Sequence, residues 1–135
     1  EHGDLFAHKG NLAHCVSADG KLGKGIAAVF VKKFGKGLRD DVRQNNGGVG
    51  SVVATVHGTR YIYNLVSKES AWGKPTYDTL RSSLVAMRDH AKANAVKLIA
   101  MPRIGCGLDR LEWSKVRAML VAVFEGSGIR ILVRN

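Results

Sequence analysis

Cysteine is scarce in this chain: Cys15 and Cys106 are the only two among 135 residues, far apart and without CxxC spacing. That excludes a disulfide framework and is the pattern of a reduced, intracellular protein. Long apolar runs are also missing. The longest, Ile26–Val31 and Ala118–Phe124, fall well short of the roughly 20 residues a membrane helix needs, so no membrane partner is expected. No secretory signal is visible. The five histidines show neither HxxxH nor HxxEH spacing, so no metal is expected. Acidic residues are few, 11 against 21 Lys and Arg, for a formal charge of +10 and a pI near 10.0. Such an excess suits a polyanionic partner, whether nucleic acid or a diphosphate, or it is a solvated surface that keeps the chain soluble; composition leaves both open.

Two nucleotide-binding signatures are absent as well. Gly73-Lys74 runs into Pro75 rather than Ser or Thr, so there is no Walker A loop. Gly23-Lys24-Gly25-Ile26-Ala27-Ala28 fits G-x-G-x-x-A, but five residues separate it from Ser17, and Asp40 and Asp41 follow no strand. A dinucleotide-binding fold is therefore rejected. An aromatic-rich strand pair of the RNA-recognition type and a helix-turn-helix signature are missing too.

What is present alternates. Leu12–Ser17 reads as a buried strand, and Ile26–Phe34 and Arg39–Asn46 as helices. Ser51–His57 and Arg60–Ser67 read as strands paired across His57-Gly58-Thr59. Pro75-Thr76 opens an amphipathic helix with Leu80, Leu84, Met87 and Ala91 on one face. A strand at 97–101, a helix at about 111–125 and a strand at Ile129–Val133 complete the chain. This order predicts one α/β domain over 1–135, with a mixed central sheet and helices on both faces. Ligands in such sheets sit at the carboxyl ends of the strands. Two glycine-rich loops have that position, 20–25 and 104–108, and both are expected to present helix-start N–H groups to an anion.

Single residues each carry two readings. Asp109 follows the second loop and suits a helix N-cap. Lys68 ends a strand, where a solubilising lysine is common. Asp4 is a turn residue or a base-reading carboxylate. Trp72 and Tyr77 are core, or flank a ligand ring. Cys106 has no evident His partner, so a nucleophilic thiol is not favoured. His14 reads as a satisfied core histidine.

Taken together these residues resemble the macrodomain family, which binds ADP-ribose, and the resemblance spans essentially the whole chain. Gly3-Asp4-Leu5-Phe6 looks like the family's adenine-contacting segment. Leu22-Gly23-Lys24-Gly25-Ile26-Ala27 resembles the first phosphate loop, and Pro102-Arg103-Ile104-Gly105-Cys106-Gly107-Leu108 the second. Leu12–Ser17, Lys74-Pro75-Thr76-Tyr77 and Met101–Leu111 look most like the branch of terminal ADP-ribose protein glycohydrolases, also described as O-acetyl-ADP-ribose deacetylases. Two features depart from the family. Its Asn-Ala-Ala-Asn segment is replaced by Ala13-His14-Cys15-Val16, so that water-activating arrangement is not carried over. Only Glu1-His2 precede the Gly-Asp pair, where the family has a full strand; either the sheet lacks an edge strand or the numbering begins inside a longer chain.

The resemblance implies a hydrolase that removes ADP-ribose from glutamate or aspartate of proteins, from O-acetyl-ADP-ribose or from nucleic acid, with a non-catalytic reader of ADP-ribose as the alternative. It implies Lys68 and Asp109 as catalytic residues. Asp4, Leu5, Ser17, Gly23, Gly25, Ile26, Arg103, Ile104, Gly105, Cys106, Gly107 and Leu108 would contact the ligand, with no metal or other cofactor. Asp4 would accept from the adenine amino group, and an N–H of Leu5 or Phe6 would read a ring nitrogen. Lys24 is expected to face solvent, and Arg103 to add charge and help Lys68 shed its proton. Lys68 would attack the distal ribose at C1″, once the sugar ring opens, and Asp109 would take up the proton or activate water. Implied partners are mono- or poly-ADP-ribosylated proteins, with poly(ADP-ribose) or nucleic acid on the basic surface. A monomer in the nucleus or cytoplasm, reversing ADP-ribosylation in the DNA damage response, completes the expectation.

Overall fold

The computed structural model describes residues 4–107 and 109–134. Five strands form one sheet: β1 (Asn11–Ser17), β2 (Val52–His57), β3 (Arg60–Lys68), β4 (Leu98–Met101) and β5 (Arg130–Val133). Their order is β2-β3-β1-β4-β5; the β2–β3 hairpin is antiparallel and the other pairings are parallel. The expected mixed sheet is therefore present. Each sequence-predicted element also forms, with ends shifted by one to three residues.

The central strands are apolar on both sides, and side chains alternate across the sheet with period two. Leu12, Val16, Ile62, Val66 and Ala100 point to one face, where α1 (Gly25–Phe34) and α2 (Lys36–Asn45) bury Ala27, Phe30, Leu38 and Val42. Ala13, Tyr63, Leu65, Ile99 and Met101 point to the other, where α3 (Tyr77–Ala93) and α4 (Trp113–Phe124) bury Leu80, Leu84, Met87, Val116 and Leu120. α3 starts on a capping box in which the Thr76 and Thr79 hydroxyls serve each other's backbone.

The chain runs from β1 out to the edge strand β2, returns inward to β3 beside β1, and then crosses to β4 on the other side of β1. The strand order thus reverses at β1, and a crevice opens beyond the carboxyl ends of β3, β1 and β4. A register shift between Val16 and Ser17 sets Ser17 opposite Lys68 at that end.

Candidate functional site

The crevice is a cleft of about 760 Å³, within the range that holds a small-molecule ligand. One bank is the β1–α1 loop running into α1. The other is the 102–112 connection after β4. Lys68 projects from the end of β3, and its Nζ donates to Asp109 Oδ1 at 2.7 Å, with the two side chains only 15% and 13% exposed. Residues 41 positions apart in sequence therefore meet inside the cleft. Among the described residues, the charged side chains lining it are Lys24, Lys68, Lys74, Arg103 and Arg110 against the single acid Asp109. With Lys68 and Asp109 offsetting each other, the walls favour an anion.

The first bank is pinned by Asp19. Its Oδ1 accepts from Ser17 Oγ–H at 2.5 Å and Lys21 N–H at 3.1 Å, and its Oδ2 from Ala71 N–H at 2.9 Å. Burial pushes this carboxyl up, but those hydrogen bonds outweigh burial and hold it below its ordinary value. Ala18 N–H and Asp19 N–H also donate to the Lys68 and Glu69 carbonyls, so the loop is stitched to the end of β3. α1 then begins at Gly25, whose φ of +58° suits glycine, with Lys24 as a cap residue that makes no side-chain cap bond. Gly25, Ile26 and Ala27 face the cleft, so a helix N-terminus points into it.

The second bank is braced by its own backbone. Cys106 N–H donates to Arg103 O at 3.3 Å, Arg110 N–H to Gly107 O at 3.2 Å and Leu111 N–H to Gly105 O at 2.7 Å. Gly105 has φ +73°, and a Cβ there would meet Leu111 Cδ1 at 2.9 Å; around Gly107, by contrast, nothing lies within 4 Å. Glu112 N–H donates to the Tyr77 hydroxyl at 3.0 Å, tying the loop's end to α3.

Of the expected site residues, Ser17, Gly23, Gly25, Ile26, Lys68, Arg103, Ile104, Gly105, Gly107 and Asp109 line this one cleft. Asp4, Leu5 and Cys106 are not among its walls, and Leu108 lies outside the described residues. Asp4 accepts from Phe6 N–H at 3.0 Å. Leu5 is buried in the core under α1. Cys106 Sγ lies 3.3 Å from Ile104 O, and burial raises its thiol, against a nucleophilic role. Cys15, at the cleft floor, is pushed up to about 12 by burial.

Several expectations are corrected. Asp109 does not cap a helix: α4 starts at Trp113 behind Glu112, so Asp109 is free to meet Lys68. For the same reason the second loop does not lead straight into a helix N-terminus. Arg103 sets its guanidinium 5.7 Å from the centre of the Trp113 ring. Of the two readings open for Trp72, core is ruled out, since it is 72% exposed at the cleft mouth; Lys24 is exposed as expected, with its Nζ 4.0 Å from the centre of the Trp72 ring. Tyr77 is half-buried, with its hydroxyl on the second bank. His14 is fully buried, as expected of a core histidine, stacked on Phe30 at 3.8 Å and bonded through Nε2 to Asn64 Oδ1 at 2.7 Å, while its Nδ1 has no hydrogen-bond partner among the described residues. The role of Asp19 was not legible, because an acid before glycine in a turn reads as turn chemistry alone. Among the described residues no group of three or more His, Cys, Asp or Glu could hold a metal, and no helix is long and apolar enough to cross a membrane.

The Macro domain family matches residues 13–120. The chain belongs to the macro domain family. It is 48% identical over 133 residues to the ADP-ribose glycohydrolase OARD1 of Homo sapiens, and equally to that of Bos taurus, covering 97% of this chain and 86% of the relative. The macrodomain of Mycobacterium tuberculosis DarG superposes with a TM-score of 0.88 at 20% identity, covering 98% of this chain and 93% of that one. Thermosipho africanus DarTG, solved in complex with ADP-ribose, superposes with a TM-score of 0.82 at 20% identity, covering 98% of this chain and 39% of that one. These macro domain structures share the fold of the five-stranded sheet and its four helices.

Proposed function

We propose that this macro domain is an ADP-ribosyl hydrolase that binds ADP-ribose in the cleft and releases it from the ester it forms with glutamate or aspartate of proteins. The observation that carries the reading is the 2.7 Å contact between Lys68 Nζ and Asp109 Oδ1 inside a cleft otherwise walled by glycine loops and cations. The relatives 48% identical carry the name ADP-ribose glycohydrolase, which agrees with it.

The diphosphate lies along the N-terminus of α1 and the second loop, where backbone N–H groups approach without side chains in the way. The distal ribose then meets Lys68. Asp109, within hydrogen-bond reach, takes the proton from Nζ. The freed amine bonds to C1″ as the C1″–O bond breaks, and the electron pair leaves on the departing carboxylate. Water next adds at C1″, the C1″–N bond breaks, and Asp109 returns the proton to the amine. The balance is one water consumed, with ADP-ribose and a carboxylic acid formed. The same chemistry serves an acetyl ester carried on C1″ of the distal ribose.

The test is calorimetric titration with ADP-ribose beside a single-turnover assay on Glu-linked ADP-ribosylated protein. Binding with cleavage supports the hydrolase. Binding without cleavage makes the chain a reader, and no binding at millimolar ligand removes both.

A further inference from the structure

Trp72 is the most exposed of the large hydrophobic side chains, yet its backbone is not loose. Ala71 N–H is held by Asp19 Oδ2 at 2.9 Å, and Gly73 N–H closes a turn onto Ser70 O at 3.0 Å. An indole fixed in this way and left in water at a cleft mouth is a platform. Its ring carries the Lys24 ammonium at 4.0 Å from the centroid. Trp72 belongs to the β3–α3 connection and Lys24 caps α1, so the pair bridges two segments across the mouth.

We infer that Trp72 is a positioning residue that holds Lys24 at the cleft mouth, making Lys24 a side-chain cation that recognises the diphosphate of the ligand. This deepens the ADP-ribose reading and rests on it. The physical argument is preorganisation. A lysine on a helix cap loses several freely rotating torsions when it engages an anion. Resting the ammonium on an indole removes part of that loss beforehand, through a contact weak enough to give up. Lys24 also sits where the α1 N-terminus already favours negative charge, since Gly25, Ile26 and Ala27 beside it line the same cleft. Lys68 is engaged by Asp109 in a 2.7 Å ion pair, whereas the Lys24 ammonium rests on the Trp72 ring face, which leaves its N–H donors to an anion.

The experiment is titration of ADP-ribose and of adenosine, which lacks phosphates, into wild type, Lys24→Met, Trp72→Ala, Trp72→Phe and the Lys24→Met/Trp72→Ala double variant, at low and physiological salt. Lys24→Met and Trp72→Ala are each expected to weaken ADP-ribose by about fivefold, roughly 1 kcal/mol. Both are expected to flatten its salt dependence, and the double variant to be no weaker than Lys24→Met alone. Trp72→Phe keeps a π face and should stay within about twofold of wild type. Adenosine affinity should be the same throughout, which a general loss of fold would not allow. Unchanged ADP-ribose affinity in both single variants, losses that add in the double variant, or an equal loss for adenosine each overturn the inference while wild-type binding leaves the functional reading standing. A wild type that does not bind ADP-ribose overturns the two together.

Discussion

The two banks of the cleft are built by opposite means. The first, from Ser17 to Gly25, is held largely by side chains, Asp19 within it and Arg43 and Asn46 donating to the Gly20 and Ala18 carbonyls from α2 and its C-cap, and runs directly into a helix whose opening residues face the cleft. The second, from Pro102 to Glu112, is held mainly by its own backbone, through the bonds of Leu111 to Gly105 and Arg110 to Gly107. It meets its helix only after Asp109 has been presented to Lys68. The first bank offers amides and a helix dipole, which serve binding. The second adds, beside its own backbone amides, a carboxylate in a fixed place, which serves chemistry. Loss of that carboxylate should therefore cost turnover before affinity, and damage to the amides of either bank the reverse.

The largest expected effect is on the chemistry. Asp109→Ala should lower turnover about 10²–10⁴-fold, the usual cost of removing a general acid–base group, while ADP-ribose affinity changes only a few-fold. It should also accumulate protein carrying the mass of ADP-ribose on Lys68, because Nζ can still shed its proton slowly to water and attack, whereas release of the adduct relies on Asp109. Lys68→Ala should lose turnover and adduct alike, read by mass spectrometry beside the rate. Cleavage by Lys68→Ala at the wild-type rate would exclude covalent catalysis.

Next in size is the response to acid of the strand under the first bank. Burial in β1 lowers the His14 pKa to about 4 from 6.5, against the opposing effect of the hydrogen bond it donates to Asn64 Oδ1. Between these values the unfolded chain binds a proton that the folded chain refuses. Stability from this group is therefore full above pH 6.5 and falls away as pH drops to about 4, by about 3 kcal/mol at 1.36 kcal/mol per unit. Urea unfolding from pH 7 to 4 measures the slope, and a His14 ring that titrates near 6.5 by NMR would remove its cause.

Two glycines two residues apart in the second bank should behave differently. Gly105→Ala meets both the left-handed backbone at φ +73° and the Leu111 methyl, so about 1–2 kcal/mol of stability should go to the backbone alone. Gly107→Val has open space around its Cβ and should fold with stability changed by no more than about 0.5 kcal/mol. Its branched side chain should instead crowd a diphosphate and weaken ADP-ribose by about tenfold. Denaturation beside titration separates the two; equal affinity in Gly107→Val and wild type would place the diphosphate elsewhere.

The order of strands and helices was readable because buried strands and amphipathic helices leave periods in the chain, as at Leu80, Leu84, Met87 and Ala91. Lys68 and Asp109 were nameable only through the resemblance, since a lysine after a strand and an aspartate before a helix each have a commoner explanation. Their meeting depends on β3 ending beside β1 and on a loop that turns back before α4 begins, and no local pattern records either. Asp19, Tyr77 and the Lys24–Trp72 contact escaped for the same reason: each acts between segments distant in sequence.

The smallest expected effect tests whether the bracing of the second bank reaches the chemistry. Tyr77 accepts the Glu112 N–H, while Lys115 lies 5.6 Å from the centre of its ring and pairs with Glu112 at 3.1 Å on the surface. That ion pair is largely exposed and should add little. The hydroxyl, in contrast, fixes the point where the loop joins α4, three residues beyond Asp109. Tyr77→Phe keeps the ring and removes only this acceptor, which should cost about 0.5–1.5 kcal/mol of stability. If the brace sets the position of Asp109, kcat should also fall a few-fold while KM and ADP-ribose affinity hold, since the first bank and its helix N-terminus are untouched. A stability loss with kcat unchanged would mean that Leu111 N–H on Gly105 O already holds Asp109 in place, and that the Tyr77 contact serves the docking of α3 on α4 alone.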